Sequence, residues 1–308
     1  VTGRILVTGA TGFIGRHLVP ALSSRGFHVR AAVRQHGRSF AFGPEVEIAP
    51  LGDLRSEVNW RPLVAGMHAV VHLAGIAHTG PAVARDVYER VNRLAVRDLS
   101  QAARAVGSRL IFLSSVRAQA GATAPAILTE DTKPEPSDDY GRAKLEAERD
   151  IAAIGGRFVI LRPVLVYGPG VAGNMGALLR LARLPFPLPF GSVHNARSLL
   201  AIENLIEAIA LCATSESALA GTFLVADDAS LSLPAMISSL RWGAGRRPGI
   251  FPVPTPLLAI ATRALGKADA WRRMAGNLVV STERIKSIGY APVVTTHDAL
   301  AAMARLSA

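Results

Sequence analysis

Residues 4–15 read Arg-Ile-Leu-Val-Thr-Gly-Ala-Thr-Gly-Phe-Ile-Gly. The run Arg4–Thr8 predicts an apolar strand that enters a glycine turn directly, and a helix over Gly12–Arg25 follows. Such a strand, turn and helix aim backbone N–H groups and the positive helix end at a diphosphate. Gly9 permits the tight turn, Gly12 lets phosphates approach, and Gly15 lets the helix pack on the strand. Thr11, Phe13 and Ile14 complete the loop. The spacing is GxxGxxG rather than GxGxxG, so an ordinary βα turn is the competing reading.

Working outward, short apolar runs recur at Phe27–Val33, Val46–Ala49, Ala69–Ala74, Arg109–Ser115 and Phe158–Arg162. Helical patterns fill the gaps, notably Asp86–Val106. Continuous apolar strands separated by helices predict a parallel sheet covered on both faces. The texture changes after about Pro163. Pro185–Gly191 is too proline-rich for a helix or a central strand. Short helices are expected at Ile202–Cys212, Pro234–Trp242, Pro256–Leu265 and Asp298–Leu306, with a further strand at Thr222–Ala226. The fold expected is therefore α/β, a Rossmann-type doubly wound parallel sheet with a smaller, mostly helical C-terminal substrate lobe. Residues 1–165 form the dinucleotide-binding domain and 166–308 the lobe, with sheet contributions interleaved and a site between them.

Half of the 308 residues are hydrophobic and only 19% are charged, which excludes a mainly disordered chain. No uncharged run reaches the roughly 18 residues a membrane helix needs. The longest, Pro163–Leu179, is broken by Pro169 and four glycines. No signal-peptide pattern is read, and Cys212 is the single cysteine, so a cytoplasmic address is expected, with no intrachain disulfide. His17, His28, His36, His78, His194 and His297 show no metal-ligand spacing, and no metal is expected. The net charge is +11, but the basic residues are scattered, with adjacent pairs only at Arg246-Arg247 and Arg272-Arg273. That pattern argues against nucleic acid and suits anionic small molecules.

The second strand ends at Arg34 with no acid in reach. An Asp or Glu there would bind the ribose hydroxyls of NAD; an arginine can hold the 2′-phosphate of NADP. NADP(H) is therefore favoured, with NAD(H) as the alternative. Asp53, followed by Leu54, can accept from the adenine amino group or cap a local turn. Tyr140 and Lys144 stand one helical turn apart, so both leave one face. An ammonium and an oxidised nicotinamide nearby favour tyrosinate, which suits Tyr140 to exchange a proton with a hydroxyl or carbonyl as hydride moves. Ser114 and Ser115 close the fifth strand, where parallel sheets place ligands.

The glycine turn, His72-Leu73-Ala74-Gly75, Ser114-Ser115 and the Tyr140/Lys144 pair together resemble the extended short-chain dehydrogenase/reductase family, in its NAD-dependent epimerase/dehydratase branch. The resemblance spans nearly the whole chain, from the glycine turn through Arg162–Gly170 and Asn195–Leu200 to Ile288–Pro292. It implies an enzyme acting on a nucleotide-sugar. Leu73, Ala74, Gly75, Pro163 and Val166 would then meet the cofactor, Asn92 would support Lys144 through water, and Asn174 and Arg197 would hold substrate. Arg272 and Arg247 are weaker diphosphate candidates. Ser115 is the catalytic hydroxyl if one extra residue precedes Gly121; without it the place falls to Val116, which cannot donate. Dehydratases of the branch carry Asp-Glu where this chain has Val116-Arg117, so dehydration is disfavoured. The reading is a 4-keto-sugar-nucleotide reductase using NADPH. The alternatives are a UDP-sugar 4-epimerase with tightly bound NAD, a reductase of a small apolar ketone or steroid, and a non-catalytic dinucleotide sensor. Relatives suggest a homodimer through the Asp86–Val106 and Tyr140 helices. Cys212, His72, Trp242 and Trp271 read as packing residues. So does the helix Pro256–Leu265, with a partner or membrane-surface contact as its alternative.

Overall fold

The computed structural model describes residues 3–34, 42–77 and 83–306; His36 and His78 lie outside them. The first six strands are β1 (Arg4–Thr8), β2 (His28–Val33), β3 (Glu47–Pro50), β4 (Ala69–His72), β5 (Arg109–Leu113) and β6 (Phe158–Pro163). Past β6 the chain leaves the sheet through β7 (Leu165–Tyr167) and β8 (Arg197–Ala201). It returns as β9 (Gly221–Val225) and leaves again at β10 (Ser230–Leu231). The main sheet has seven parallel strands in the order β3-β2-β1-β4-β5-β6-β9. The order reverses between β1 and β4, the switch point at which open α/β sheets bind ligands.

Alternation along β1 explains its two-sided burial. Ile5 and Val7 join Leu18 and Leu22 of helix α1 (Gly15–Ser24) on one face. Leu6 joins Val70, Phe112 and Leu99 of helix α2 (Ala95–Ala105) on the other. The long helix expected over Asp86–Val106 is not one regular helix. A single α turn at Arg85–Tyr88 passes into a π-helical stretch, Glu89–Leu94, before α2 begins. Apolar periodicity cannot reveal this widening; a side-chain bond described below accompanies it.

Helix α3 (Asp139–Ile154) covers the sheet beside α2. The remaining long helices are α4 (Gly173–Ala182), α5 (Ile202–Thr214), α6 (Leu233–Gly243), α7 (Thr255–Ala264), α8 (Ala268–Ala275) and α9 (Thr296–Leu306). Helix α5 packs on α1, and with β9 it belongs to the main sheet's layer. The C-terminal lobe has its own core around Met175, Leu199, Met236 and Leu300. It also contains a small sheet, β10-β8-β7, whose individual strands the sequence did not mark. Those strands have two to five residues, too few to show a period of two.

Candidate active site

The turn after β1 is shaped by what its glycines lack. Gly9 has φ +68°, and a methyl there would lie 2.7 Å from the Ala74 nitrogen. A methyl on Gly15 would overlap the carbonyl oxygens of Gly9 and Ala10, so that glycine brings α1 onto the turn. At Gly12 the nearest obstacle is the Gly9 oxygen at 3.2 Å, which leaves its outer face clear. Thr8 ties the ends of β1 and β4: its Oγ1 accepts from the Ala74 N–H at 3.3 Å and lies 2.9 Å from His72 Nδ1. A bare-backbone cradle beside the switch point fits the diphosphate of a dinucleotide.

A cleft opens from this cradle. Gly9, Thr11, Gly12, Leu73, Ala74 and Gly75 line one part, and Arg34, Asp53 and Leu54 line the part beside β2 and β3. Arg55, which sequence reading passed over, lines it too. Asp53 Oδ1 accepts from the Arg55 N–H at 3.0 Å, so the local turn competes for this carboxylate. Other expected cofactor residues sit elsewhere. Ile14 and Val166 pack on the main core. Pro163 is buried at the end of β6. Phe13 packs edge-on against His17 at 5.7 Å, under Arg16.

The candidate catalytic side chains gather where β5 ends. Asp138 caps α3, its Oδ1 accepting from the Gly141 N–H at 2.7 Å, while its other oxygen accepts from Arg117. A side chain on Gly141 would collide with the Arg117 carbonyl, so this glycine lets α3 start against the strand end. Tyr140, Lys144 and Glu148 then follow at spacings of four along one face. The Tyr140 hydroxyl is hydrogen-bonded to Ser115, whose Oγ also accepts from the Arg117 N–H at 3.2 Å. Val116, the rival place for the catalytic hydroxyl, is buried in the core. Lys144 Nζ donates to the Leu113 carbonyl at 2.8 Å and sits 4.5 Å from the Phe112 ring centre.

Electrostatics here depart from expectation. Burial pushes the Tyr140 phenol up to about 12, against lowering by the Ser115 hydrogen bond and the Arg117 guanidinium. Arg117, which sequence spacing does not suggest, is thus a cation acting on the tyrosine. Burial lowers Lys144 to about 8, and the Glu148 carboxylate opposes that shift. His72 is held neutral by burial and by Lys144, at about 3. Its Nδ1 meets Thr8, but its Nε2 has no hydrogen-bond partner among the described residues.

Three other expected residues are engaged by partners within the protein. Ser114 turns away from Tyr140 and donates to Glu148. Glu148 in turn accepts from Arg162, at 3.0 Å from Nε, and Arg162 donates to Gln119 at 3.1 Å. Glu148 and Arg162 went unread, although the spacing of Glu148 from Lys144 repeats that of Lys144 from Tyr140. Asn92 grips the loop after β4, accepting from the Ile76 N–H at 2.8 Å and donating to its carbonyl at 2.9 Å. It lies in the π-helical stretch, a device found mostly at functional sites. Arg197 is buried and donates to the carbonyls of Ala122 and Gly276, at 3.2 and 2.9 Å.

Arg117 also lines a second cleft with Asp138, Thr123, Arg272 and Arg273, which lies between the catalytic end of β5 and α8. Arg247 is exposed on the loop after α6 and does not line it. Asn174 is half-buried in the first turn of α4. No cluster of metal-ligating side chains occurs among the described residues.

The model of the NAD dependent epimerase/dehydratase family matches residues 5–226. The chain is 32% identical to a UDP-glucose 4-epimerase of Vibrio cholerae, over 96% of this chain and 92% of that one. It is 33% identical to a ceramide reductase of Caulobacter vibrioides, over 69% and 62% respectively. Among solved structures, MoeE5 in complex with UDP-glucose and NAD shares 25% identity with a TM-score of 0.75, covering 99% and 98% of the two chains.

Proposed function

From the fact that the chain belongs to the NAD-dependent epimerase/dehydratase family, we propose that it moves hydride at C4 of a nucleotide-sugar, as an NADPH-dependent 4-keto-sugar reductase. The observation that carries the reductase reading is the ribose side of the cofactor cleft. Arg34 and Arg55 supply two cations there, and Asp53, the one acid among the described lining residues, is engaged in a turn. Guanidinium groups suit a 2′-phosphate. Cofactor exchange after each turnover belongs to a reductase.

A reduced nicotinamide supplies hydride when bound. Gly9, Gly12 and Gly75 would give the dinucleotide bare backbone to rest on. Tyr140, neutral at ordinary pH, donates its proton to the carbonyl oxygen as negative charge develops there. Ser115 orients that oxygen by hydrogen bonding. Lys144, while charged, stabilises the phenolate left behind. Val116 is buried, and Arg117 is paired with Asp138, so neither offers the acid–base pair a dehydration needs. Arg272 and Arg273, with Arg197 behind them, suit a diphosphate in the second cleft.

The Vibrio cholerae relative supports a second reading, a UDP-sugar 4-epimerase with retained NAD. Titration with NADPH, NADH and NAD, followed by nicotinamide fluorescence on protein checked for copurified dinucleotide, separates the two. The reductase reading expects NADPH to bind at least about tenfold more tightly than NADH, with the preference lost in Arg34→Ser/Arg55→Ser. Copurified NAD that NADPH does not displace would establish the epimerase instead. A dinucleotide sensor would keep its behaviour in Tyr140→Phe. The homodimer through the helices at 85–105 and 139–154 is part of the same proposal and is checked by light scattering.

A further inference from the structure

Helix α7 leaves an apolar face without a partner among the described residues. Leu258 is its only buried residue, while Leu257 and Ile260 are 57% and 65% exposed, and Leu265 just beyond is 73% exposed. This overturns the core-packing reading of the helix. Leu257, Ile260, Ala261 and Ala264 follow the spacing of a single helical face. Phe186 and Phe251 extend the apolar surface on the loops beneath. Those loops are tied together by a bridge between Leu188 and Ile250, and to the start of α7 by the Thr255 hydroxyl donating to the Ser192 carbonyl at 3.2 Å.

Charge identifies what covers this face. Residues 229–268 contain no Asp or Glu, yet hold Arg241, Arg246, Arg247, Arg263 and Lys267. Arg241 is buried, spent on the carbonyls of Ala182, Leu184, Phe186, Pro248 and Gly249. The other four cations are exposed, two on α7 and the link after it and two on the loop that precedes it in the chain. Arg263 lies in the last turn of α7, and Lys267 follows in the short link to α8. A second copy of the chain would bring like charge against like charge. Apolar side chains flanked in the chain by exposed cations, with the first acid, Asp269, already paired with Arg272, match the boundary of an anionic lipid bilayer.

We propose that α7 with its flanking loops is a peripheral surface that docks on anionic membranes. Helix α8 follows directly and carries Arg272 and Arg273, so docking would set the mouth of the substrate cleft close to the lipid headgroups.

The test is cosedimentation of the whole chain with vesicles of phosphatidylcholine alone, or mixed equally with phosphatidylglycerol. The expected result is at least about tenfold more protein bound to the anionic vesicles. That excess falls when salt is raised to about 1 M, where charges are screened within about 3 Å. Leu257→Glu/Ile260→Glu reduces binding to the phosphatidylcholine background, with thermal melting and dinucleotide binding unchanged. Arg263→Gln/Lys267→Gln gives a partial loss. Equal binding to both vesicle types, or a Leu257→Glu/Ile260→Glu chain bound like the parent, overturns the proposal. So does a dimer of the parent that this variant splits, because a second copy would then cover the face.

Discussion

At the scale of single residues, the site turns on two groups whose protonation is set by burial and tuned by their neighbours. Tyr140 is held neutral up to about 12, which makes it a proton donor throughout the physiological range. Tyr140→Phe is expected to lower the rate of hydride transfer by about 10²–10⁴-fold, with dinucleotide affinity retained, as single-turnover kinetics against a fluorescence titration would show. Lys144 is charged below about 8 and loses its proton as pH rises through that value. Activity that depends on the ammonium should therefore fall on an alkaline limb near pH 8. Glu148 favours the charged form, so Glu148→Gln should move the limb to lower pH. A limb that stays in place would show that another group titrates there. The Tyr140/Lys144 pair was legible because a spacing of four fixes one helix face whatever the fold. Arg117 was not: it reaches Asp138 and the tyrosine only because a short turn after β5 packs against the start of α3. The choice of Ser115 as the hydroxyl beside the tyrosine was legible, whereas the Ser114–Glu148 contact was not, because it joins a strand end to a helix 34 positions away.

At the scale of elements, the glycine turn separates folding from binding. Gly15→Ala forces a methyl into two backbone carbonyls, so α1 must shift. A loss of about 2 kcal/mol or more is expected, visible in urea unfolding, together with loss of cofactor. Gly12→Ala meets only one oxygen, at 3.2 Å. The folded chain should tolerate it to within about 1 kcal/mol, while the methyl stands where phosphates would approach. Dinucleotide binding lost with unfolding unchanged is the result expected; retained binding would mean the phosphates lie elsewhere. The main-sheet strands and most helices were readable because each is a short, continuous apolar run or a clean amphipathic pattern. The π-helical stretch around Asn92 and the two-residue β10 were not, because one depends on a distant backbone partner at Ile76 and the other on pairing with β8.

At the scale of the whole molecule, the question is what holds the lobe over the sheet. The change in texture near Pro163 marked where the chain departs, but not how it is fastened, because the fastening joins residues 60 to 129 positions apart. Tyr167 leaves β7 and donates to Asp227, which follows β9, and it lies 3.2 Å from the Thr296 carbonyl at the start of α9. The same carboxylate accepts from the Ala201 N–H at 2.9 Å and from Asn204 Nδ2 at 2.7 Å. One buried side chain thus links both sheets, α5 and α9. Tyr167→Phe keeps the ring and its packing but leaves one carboxylate oxygen short of a donor, which costs about 1–3 kcal/mol in a buried site. A lower melting temperature is expected. Because the cofactor cradle is built on β1 and β4, dinucleotide affinity should be preserved, whereas KM for a substrate bound between sheet and lobe should rise. If KM stayed constant while stability fell, the lobe would be fixed by its apolar core around Met236 and Leu300, and the Tyr167–Asp227 link would serve stability alone.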